Sequence, residues 1–273
     1  MKEKNKDFEI CSLSDIGKKR ENNEDSFLYT QIEGENGSHA YLLAVADGMG
    51  GHLGGEVASR CVVETLREYV TSNPIGDNIP LILKGAITHA NSSIHDMSCQ
   101  TPELRGMGST CTAVLCAKGK AYVAHVGDSR AYLVRKGDVR RITKDHTVAE
   151  RMVESGIITA EEARVCPERN ALFRAVGPSN EVEVDLIPPI DITAGDVFVL
   201  CSDGLTEFVR EDEIGNIVTL YPPSKACDAL VNIANNRGGT DNITVQVARI
   251  LANSNKPSQI LSGVKSLFTL ARW

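Results

Sequence analysis

The chain has 273 residues, 42% of them hydrophobic and 24% charged, with 29 basic against 36 acidic side chains and a formal charge of −7. This composition supports a folded core and excludes bulk disorder, and the negative balance disfavours nucleic acid or an anionic membrane surface as a partner. No apolar run reaches the roughly 18–20 residues of a spanning helix. Met1 to Glu9 is too charged for a secretory signal, and the eight cysteines include no C-x-x-C pair, so a reducing cytoplasm is expected.

In chain order, Ala40 to Ala46 (AYLLAVA) predicts a buried strand. Gly55 to Tyr69 and Ile79 to Ile94 carry apolar residues at helical spacing. Ser109 to Cys116, Ala121 to Val126 and Ala131 to Arg135 read as strands, and Lys136-Gly137-Asp138 marks a hairpin. His146 to Arg164 is polar and helical with a break at Ser155-Gly156. Val182 to Leu186 and Val197 to Cys201 predict strands, Ser224 to Asn235 a helix and Ile243 to Ile250 a closing strand. Strands and helices come in blocks, which predicts an α+β fold. Cys61, Cys111, Cys116 and Cys201 lie in apolar stretches and are expected to be small buried hydrophobes. No linker divides the chain before residue 252, so one domain over 1–252 is expected, with a tail at 253–273. In that tail Ile260, Leu261, Val264, Leu267 and Phe268 have near-helical spacing, fit to pack on the domain itself or, as the alternative, to dock on a partner.

Three aspartates sit at the ends of apolar strands: Asp47 before Gly48, Asp203 before Gly204, and Asp241 just before ITVQVARI. Asp128 lies in HVGDSR between two strands. Carboxylates placed this way can converge at one sheet edge, where hard oxygen donors suit Mg²⁺ or Mn²⁺. An Asp-Gly pair is also an ordinary turn, and spacing alone leaves both readings open. The glycine-rich run from Asp47 to Gly55 is not a dinucleotide fingerprint, because Leu53 stands where the third glycine belongs, and no G-K-[ST] follows. Its glycines would instead let backbone approach a metal or phosphate. In RENNED, Arg20 offers a planar fork for phosphate oxygens, while Glu24 and Asp25 could hold metal-bound waters.

RENNEDS, VADGMGGHLGGEVAS, GMGST, HVGDSRAYLVRKG, NALFRAVG, VLCSDGL and GGTDNITV occur in the order of the metal-dependent protein phosphatases of the 2C type. The chain resembles that family, in its bacterial form, from about Ile10 to Ile250. The resemblance implies a central β-sandwich of two antiparallel sheets flanked by helices on both faces. It implies two tightly bound Mn²⁺ or Mg²⁺ ions held by Asp47, the Gly48 carbonyl, Asp203 and Asp241, and a third, weaker ion at Asp128 shared with Asp203. Glu24 and Asp25 would act through waters, and Arg20 would bind substrate phosphate while leaving the metals alone; Arg20 and Asp25 are the candidate catalytic residues. The segment from about His146 to Asn170 would be a flap beside the site. Two positions depart from the pattern: Met49 stands where animal relatives carry a histidine, with His52 nearby, and Phe173 stands where a small hydroxyl residue is expected.

The chemistry expected from these residues is direct attack of a metal-bridging hydroxide on phosphoserine or phosphothreonine, two cations neutralising the phosphoryl oxygens. A cysteinyl-phosphate route is not supported, because Cys99 in CQTPELR has its arginine at the wrong spacing. Competing readings are a non-catalytic phosphopeptide-binding module on the same fold and a dinucleotide-binding oxidoreductase. The expected partners are phosphorylated proteins made by a Ser/Thr kinase, met by a monomer without a membrane span.

Overall fold

The architecture follows from strands whose two faces are both apolar. In His39–Met49 (β4), Leu42, Ala44 and Ala46 join one core cluster while Tyr41, Leu43 and Val45 join another. A strand buried on both faces must lie inside a layered structure, and it reads in the sequence as a continuous hydrophobic run. The computed structural model describes residues 1–251 apart from 5–6, 34–38, 51–52, 74 and 77. The expected tail helix lies outside the described residues.

One sheet orders Lys2–Lys4 (β1), Phe8–Asp15 (β2), Ile243–Ile250 (β12), Val197–Cys201 (β11), Arg130–Arg135 (β8) and Asp138–Arg141 (β9). The other orders Asp185–Asp191 (β10), Lys120–Val126 (β7), Cys111–Ala117 (β6), β4 and Asp25–Glu33 (β3), with the short Gly108–Ser109 (β5) on the end of β4. Every pairing is antiparallel. Helices Gly54–Ser72 (α1) and Ile79–Gln100 (α2) cover the second sheet, burying Val62, Leu66, Leu83 and Ile87. Glu211–Leu220 (α6) and Pro223–Asn236 (α7) cover the first, burying Ile214, Val218, Leu230 and Val231. Phe198 and Leu200 of β11 meet Leu43 and Val45 of β4 between the sheets. The layers are thus helix, sheet, sheet, helix, the sandwich that the resemblance implied.

Several sequence expectations shift. The strand expected at Val182 to Leu186 is displaced to β10, because Val182 and Val184 pack on the core without ladder bonds. Pro188 and Pro189 are tolerated there because β10 is an edge strand with a register shift between Ile187 and Ile190. The expected strand Ser109 to Cys116 breaks at Thr110, whose N–H donates to the Asp47 carbonyl at 2.8 Å. Cys61 is only half-buried, whereas Cys111, Cys116 and Cys201 are buried, and all eight cysteines are free. The Lys136-Gly137 hairpin forms as expected, both residues at positive φ (54° and 91°).

Toward one end the layer between the sheets turns polar. Gln246 donates to Ser12 Oγ (2.9 Å) and the Leu28 carbonyl (3.0 Å), and the Thr244 and Ser14 hydroxyls lie 2.7 Å apart. This is the end at which β4 and β11 finish and β3 and β12 begin, and it holds the candidate site.

Candidate active site

A cavity of about 570 Å³ opens at this end, and its floor collects Glu24, Asp47, Gly48, Asp128, Asp203 and Asp241, with Arg20 at the side. Antiparallel pairing explains the convergence. The start of β3 lies against the end of β4, in register Asp25 to Asp47. The end of β11 leads into Asp203–Thr206 (α5), beside the start of β12 that follows Asp241. Asp128 follows β7 on the same rim.

Short polar contacts fix each carboxylate. The Asp47 N–H donates to Thr110 Oγ1 at 2.9 Å, and that oxygen lies 2.7 Å from the Ser129 hydroxyl. Asn242 spans the opening segment: its amide donates to the Ile16 and Asn22 carbonyls, and its Oδ1 accepts the Glu24 N–H at 2.8 Å. Ser202 donates to Asp25 at 2.7 Å. Sequence reasoning did not single out Thr110, Ser202 or Asn242. Their signal was membership of the quoted motifs GMGST, VLCSDGL and GGTDNITV, in which no role was assigned to them.

Two glycines of the run after β4 are explained by packing. A Cβ on Gly48 would stand 2.0 Å from the Gly55 carbonyl oxygen, and one on Gly55 would meet the Glu24 carboxyl at 2.7 Å. They let the start of α1 close onto Glu24. His52 lies outside the described residues.

Electrostatically the floor is strained. Burial, then the charges of Asp25, Asp203, Asp128 and Asp241, hold the Asp47 carboxyl well above the usual carboxylate range. Burial and Asp203 do the same to Asp128. Burial and Asp241 push Asp203 up to about 6, while a hydrogen bond to Asp47 pulls it partly back. Water reaches Asp47 and Asp203 through the cavity and softens this desolvation, as their intermediate exposure shows. Asp25 is enclosed behind Asp47 and does not line the cavity; burial raises it against hydrogen bonds from Thr244 and Ser202, and its Oδ1 has no partner. The expectation that Asp25 is itself catalytic therefore does not match its position. It pairs in register with Asp47, which does line the cavity.

Arg20 does not stand apart from the aspartates. Its Nη2 lies 2.7 Å from Asp241 Oδ2, with the guanidinium about half exposed, and that bond raises its pKa. Among the described residues no group of three His, Cys, Asp or Glu side chains is drawn together as a ready ligand set for one ion. The donor chemistry nonetheless fits divalent cations: hard carboxylate oxygens, mutually repelling, with one arginine against five acids on the floor. The remaining wall runs from Asn170 to Glu183 and includes Phe173 and Arg174. Neither His nor Cys occurs among the described lining residues, which gives a covalent phosphocysteine route no nucleophile.

Comparison with known proteins agrees with this geometry. The family model for protein phosphatase 2C matches residues 17–243. Serine/threonine protein phosphatase PstP of Mycobacterium tuberculosis is 39% identical over 94% of this chain and 48% of its own length. The chain thus spans about half the length of these mycobacterial relatives. Serine/threonine phosphatase stp of Listeria welshimeri is 37% identical over 85% of this chain and 92% of its own. The crystal structure of the M. tuberculosis phosphatase PstP/Ppp aligns at 37% identity with a TM-score of 0.81, covering 90% of this chain and 100% of that one. A PstP catalytic domain in complex with two manganese ions aligns at 36% identity and TM-score 0.77, covering 90% and 99%. The chain belongs to the protein phosphatase 2C family. Among the described residues the antiparallel sheets contain no strand–helix–strand dinucleotide unit, which removes the oxidoreductase reading.

Proposed function

We propose that the chain is a metal-dependent serine/threonine phosphoprotein phosphatase. The observation that carries this reading is the convergence of Asp47, Asp128, Asp203, Asp241 and Glu24 with Arg20 in one open cavity. Asp47, the Gly48 carbonyl, Asp203 and Asp241 would hold two Mn²⁺ or Mg²⁺ ions, as the manganese-bound relative supports, and Asp128 with Asp203 a third, weaker one. When bound, the ions supply charge neutralisation and a water of lowered pKa.

The chain's own groups do the rest. Arg20, at the cavity side, can turn its fork from Asp241 to two phosphoryl oxygens and orient the monoester for in-line attack by water. Glu24, buried enough that its pKa is raised while Arg20 opposes the rise, can hold water at the floor. Asp25 backs Asp47 from behind the floor, held by Ser202. The open mouth admits a side chain borne on a protein, which suits phosphorylated proteins as substrates. We further infer a monomer acting in the cytoplasm on the products of a Ser/Thr kinase. The eight free cysteines accord with a reducing compartment, and no helix among the described residues is long and apolar enough to cross a membrane. The domain assignment, 1–252 with a tail at 253–273, belongs to the same proposal.

The test is phosphate release from a phosphothreonine peptide and from p-nitrophenyl phosphate, with and without Mn²⁺. Mn²⁺-dependent release from both supports the reading. Peptide binding without release would favour the non-catalytic module.

A further inference from the structure

His146 belongs to none of the groups so far assigned, yet it touches two parts of the site. It is almost fully buried, at 4% exposure. Its N–H donates to the Gly127 carbonyl at 2.7 Å, and the Gly127 N–H donates to its Nδ1 at 3.0 Å. A backbone amide can only donate, so Nδ1 is the acceptor of the neutral ring; Nε2 then carries the proton and lies 3.1 Å from Asp185 Oδ2, with Arg174 Nη1 a second neighbour at 3.1 Å. Asp185 is held in turn by Arg174 at 2.6 Å. The residue clamped from both sides, Gly127, immediately precedes Asp128. It has φ +107°, and a Cβ on it would stand 2.6 Å from Thr110, the residue that fixes Asp47.

The same histidine closes the base of the segment that forms the cavity wall. The His146 carbonyl accepts the Phe173 N–H at 3.0 Å, Thr147 bridges Leu172, and the Val148 N–H donates to Ala171 at 2.9 Å. Residues 148–171 therefore leave and rejoin the domain at His146. That excursion holds Val148–Glu154 (α3) and Ala160–Val165 (α4), which bury only Ala149. The Phe173 ring lies 5.7 Å from the His146 ring and carries Arg151 at 4.1 Å on its face.

We propose that His146 is a positioning residue, which locks the Gly127–Asp128 peptide to the root of the 148–171 excursion. The proposal rests on the phosphatase reading for its consequence, because Asp128 matters only if the cavity turns over substrate. Through this residue, its backbone and its ring together, a change in the excursion when a protein substrate lies against Phe173 reaches Asp128.

Two variants separate the ring's two bonds. In His146→Asn the side-chain oxygen can take the place of Nδ1 and accept the Gly127 N–H. In His146→Gln the amide nitrogen can take the place of Nε2 and serve Asp185 instead. Amide hydrogen exchange at Gly127 and Asp128 in the metal-free full chain reads the clamp without any turnover. The Gln variant is expected to exchange faster there, on the order of fivefold, the equivalent of one ordinary net hydrogen bond. It is also expected to lower kcat on a phosphothreonine peptide with KM held, and to need more Mn²⁺ for half-maximal rate. The Asn variant is expected to stay near wild type on all three. Equal exchange at Gly127 in the Asn and Gln variants would overturn the proposal, as would faster exchange with an unchanged kcat. If the Gln variant does not fold, His146→Leu removes the Nδ1 acceptor while filling the ring's space, and unchanged exchange at Gly127 there would overturn it equally. A wild type inactive with Mn²⁺ would instead refute the phosphatase reading, which the exchange data do not touch.

Discussion

Arg20 Nη2 and Asp241 Oδ2 lie 2.7 Å apart although 221 residues separate them in sequence. One is the proposed phosphate ligand and the other a proposed metal ligand. The pair is therefore a competition: a cation that takes Asp241 leaves the guanidinium free for substrate.

Arg20→Ala is accordingly expected to raise KM for a phosphothreonine peptide about tenfold, or about 1.4 kcal/mol. Mn²⁺ affinity should hold or tighten, since Asp241 loses its competitor. Arg20→Lys restores charge but not the fork and should recover little. Calorimetric titration with Mn²⁺ beside steady-state kinetics checks this; weakened Mn²⁺ binding would show that Arg20 helps to build the ligand set.

The acidic floor makes a prediction about pH in the metal-free protein. Asp203 is raised to about 6 when folded, against about 3.9 for an unperturbed aspartate. As pH rises across that interval the unfolded chain gives up this proton first, so the wild type loses stability and then levels off above the folded pKa. Asp203→Asn has no such proton to lose. In EDTA the variant should match wild type near pH 4 and exceed it by on the order of 2 kcal/mol at pH 7, a figure reduced for water reaching the cavity. Denaturant melts at several pH values measure the gap, and a gap that shrinks as pH rises would contradict the repulsion described above.

Strands and helices with unbroken apolar patterns were legible at their true bounds. Val197–Cys201 and Ile243–Ile250 are buried along nearly their whole length and read as such. Glu211–Leu220 escaped notice although its acidic first turn suits a helix start, because Gly215 and Asn216 weaken its propensity. The fold supplies what the local sequence does not, through Ile214 and Val218 in the core and an Arg237–Glu213 ion pair at 2.7 Å. At the site, the motif aspartates could be chosen but not placed. The enclosure of Asp25 behind Asp47 and the Arg20–Asp241 pair depend on which strand ends meet, a long-range property that no local pattern encodes.

Asp128 is buried, and it is raised by burial and by Asp203. Asp128→Ala should keep the fold and the two tight Mn²⁺ sites while losing much of its turnover on phosphopeptides, because a site built from few protein oxygens fills only at high metal concentration. Calorimetry should show the weak binding event gone and the tight ones intact. Loss of both tight events, or a melting point far below wild type, would make Asp128 a structural turn residue.

The 148–171 excursion buries little apolar surface and should be among the first described parts of the domain to exchange its amides. Replacing it with another polar segment should change preference among phosphoproteins more than hydrolysis of p-nitrophenyl phosphate. Equal losses on both substrates would mean that it serves only as support.

The central claim is that the aspartate floor is a divalent-cation centre for phosphomonoester hydrolysis. The most direct measurement is phosphate release from a phosphothreonine peptide by the full chain, stripped with EDTA and then titrated with Mn²⁺, for wild type, Asp47→Asn and Asp241→Asn. The account predicts no release in EDTA, recovery with Mn²⁺ in the wild type, and a loss of at least about a thousandfold in both variants, which should stay folded. Full turnover in excess EDTA, or variants as active as wild type, would contradict it.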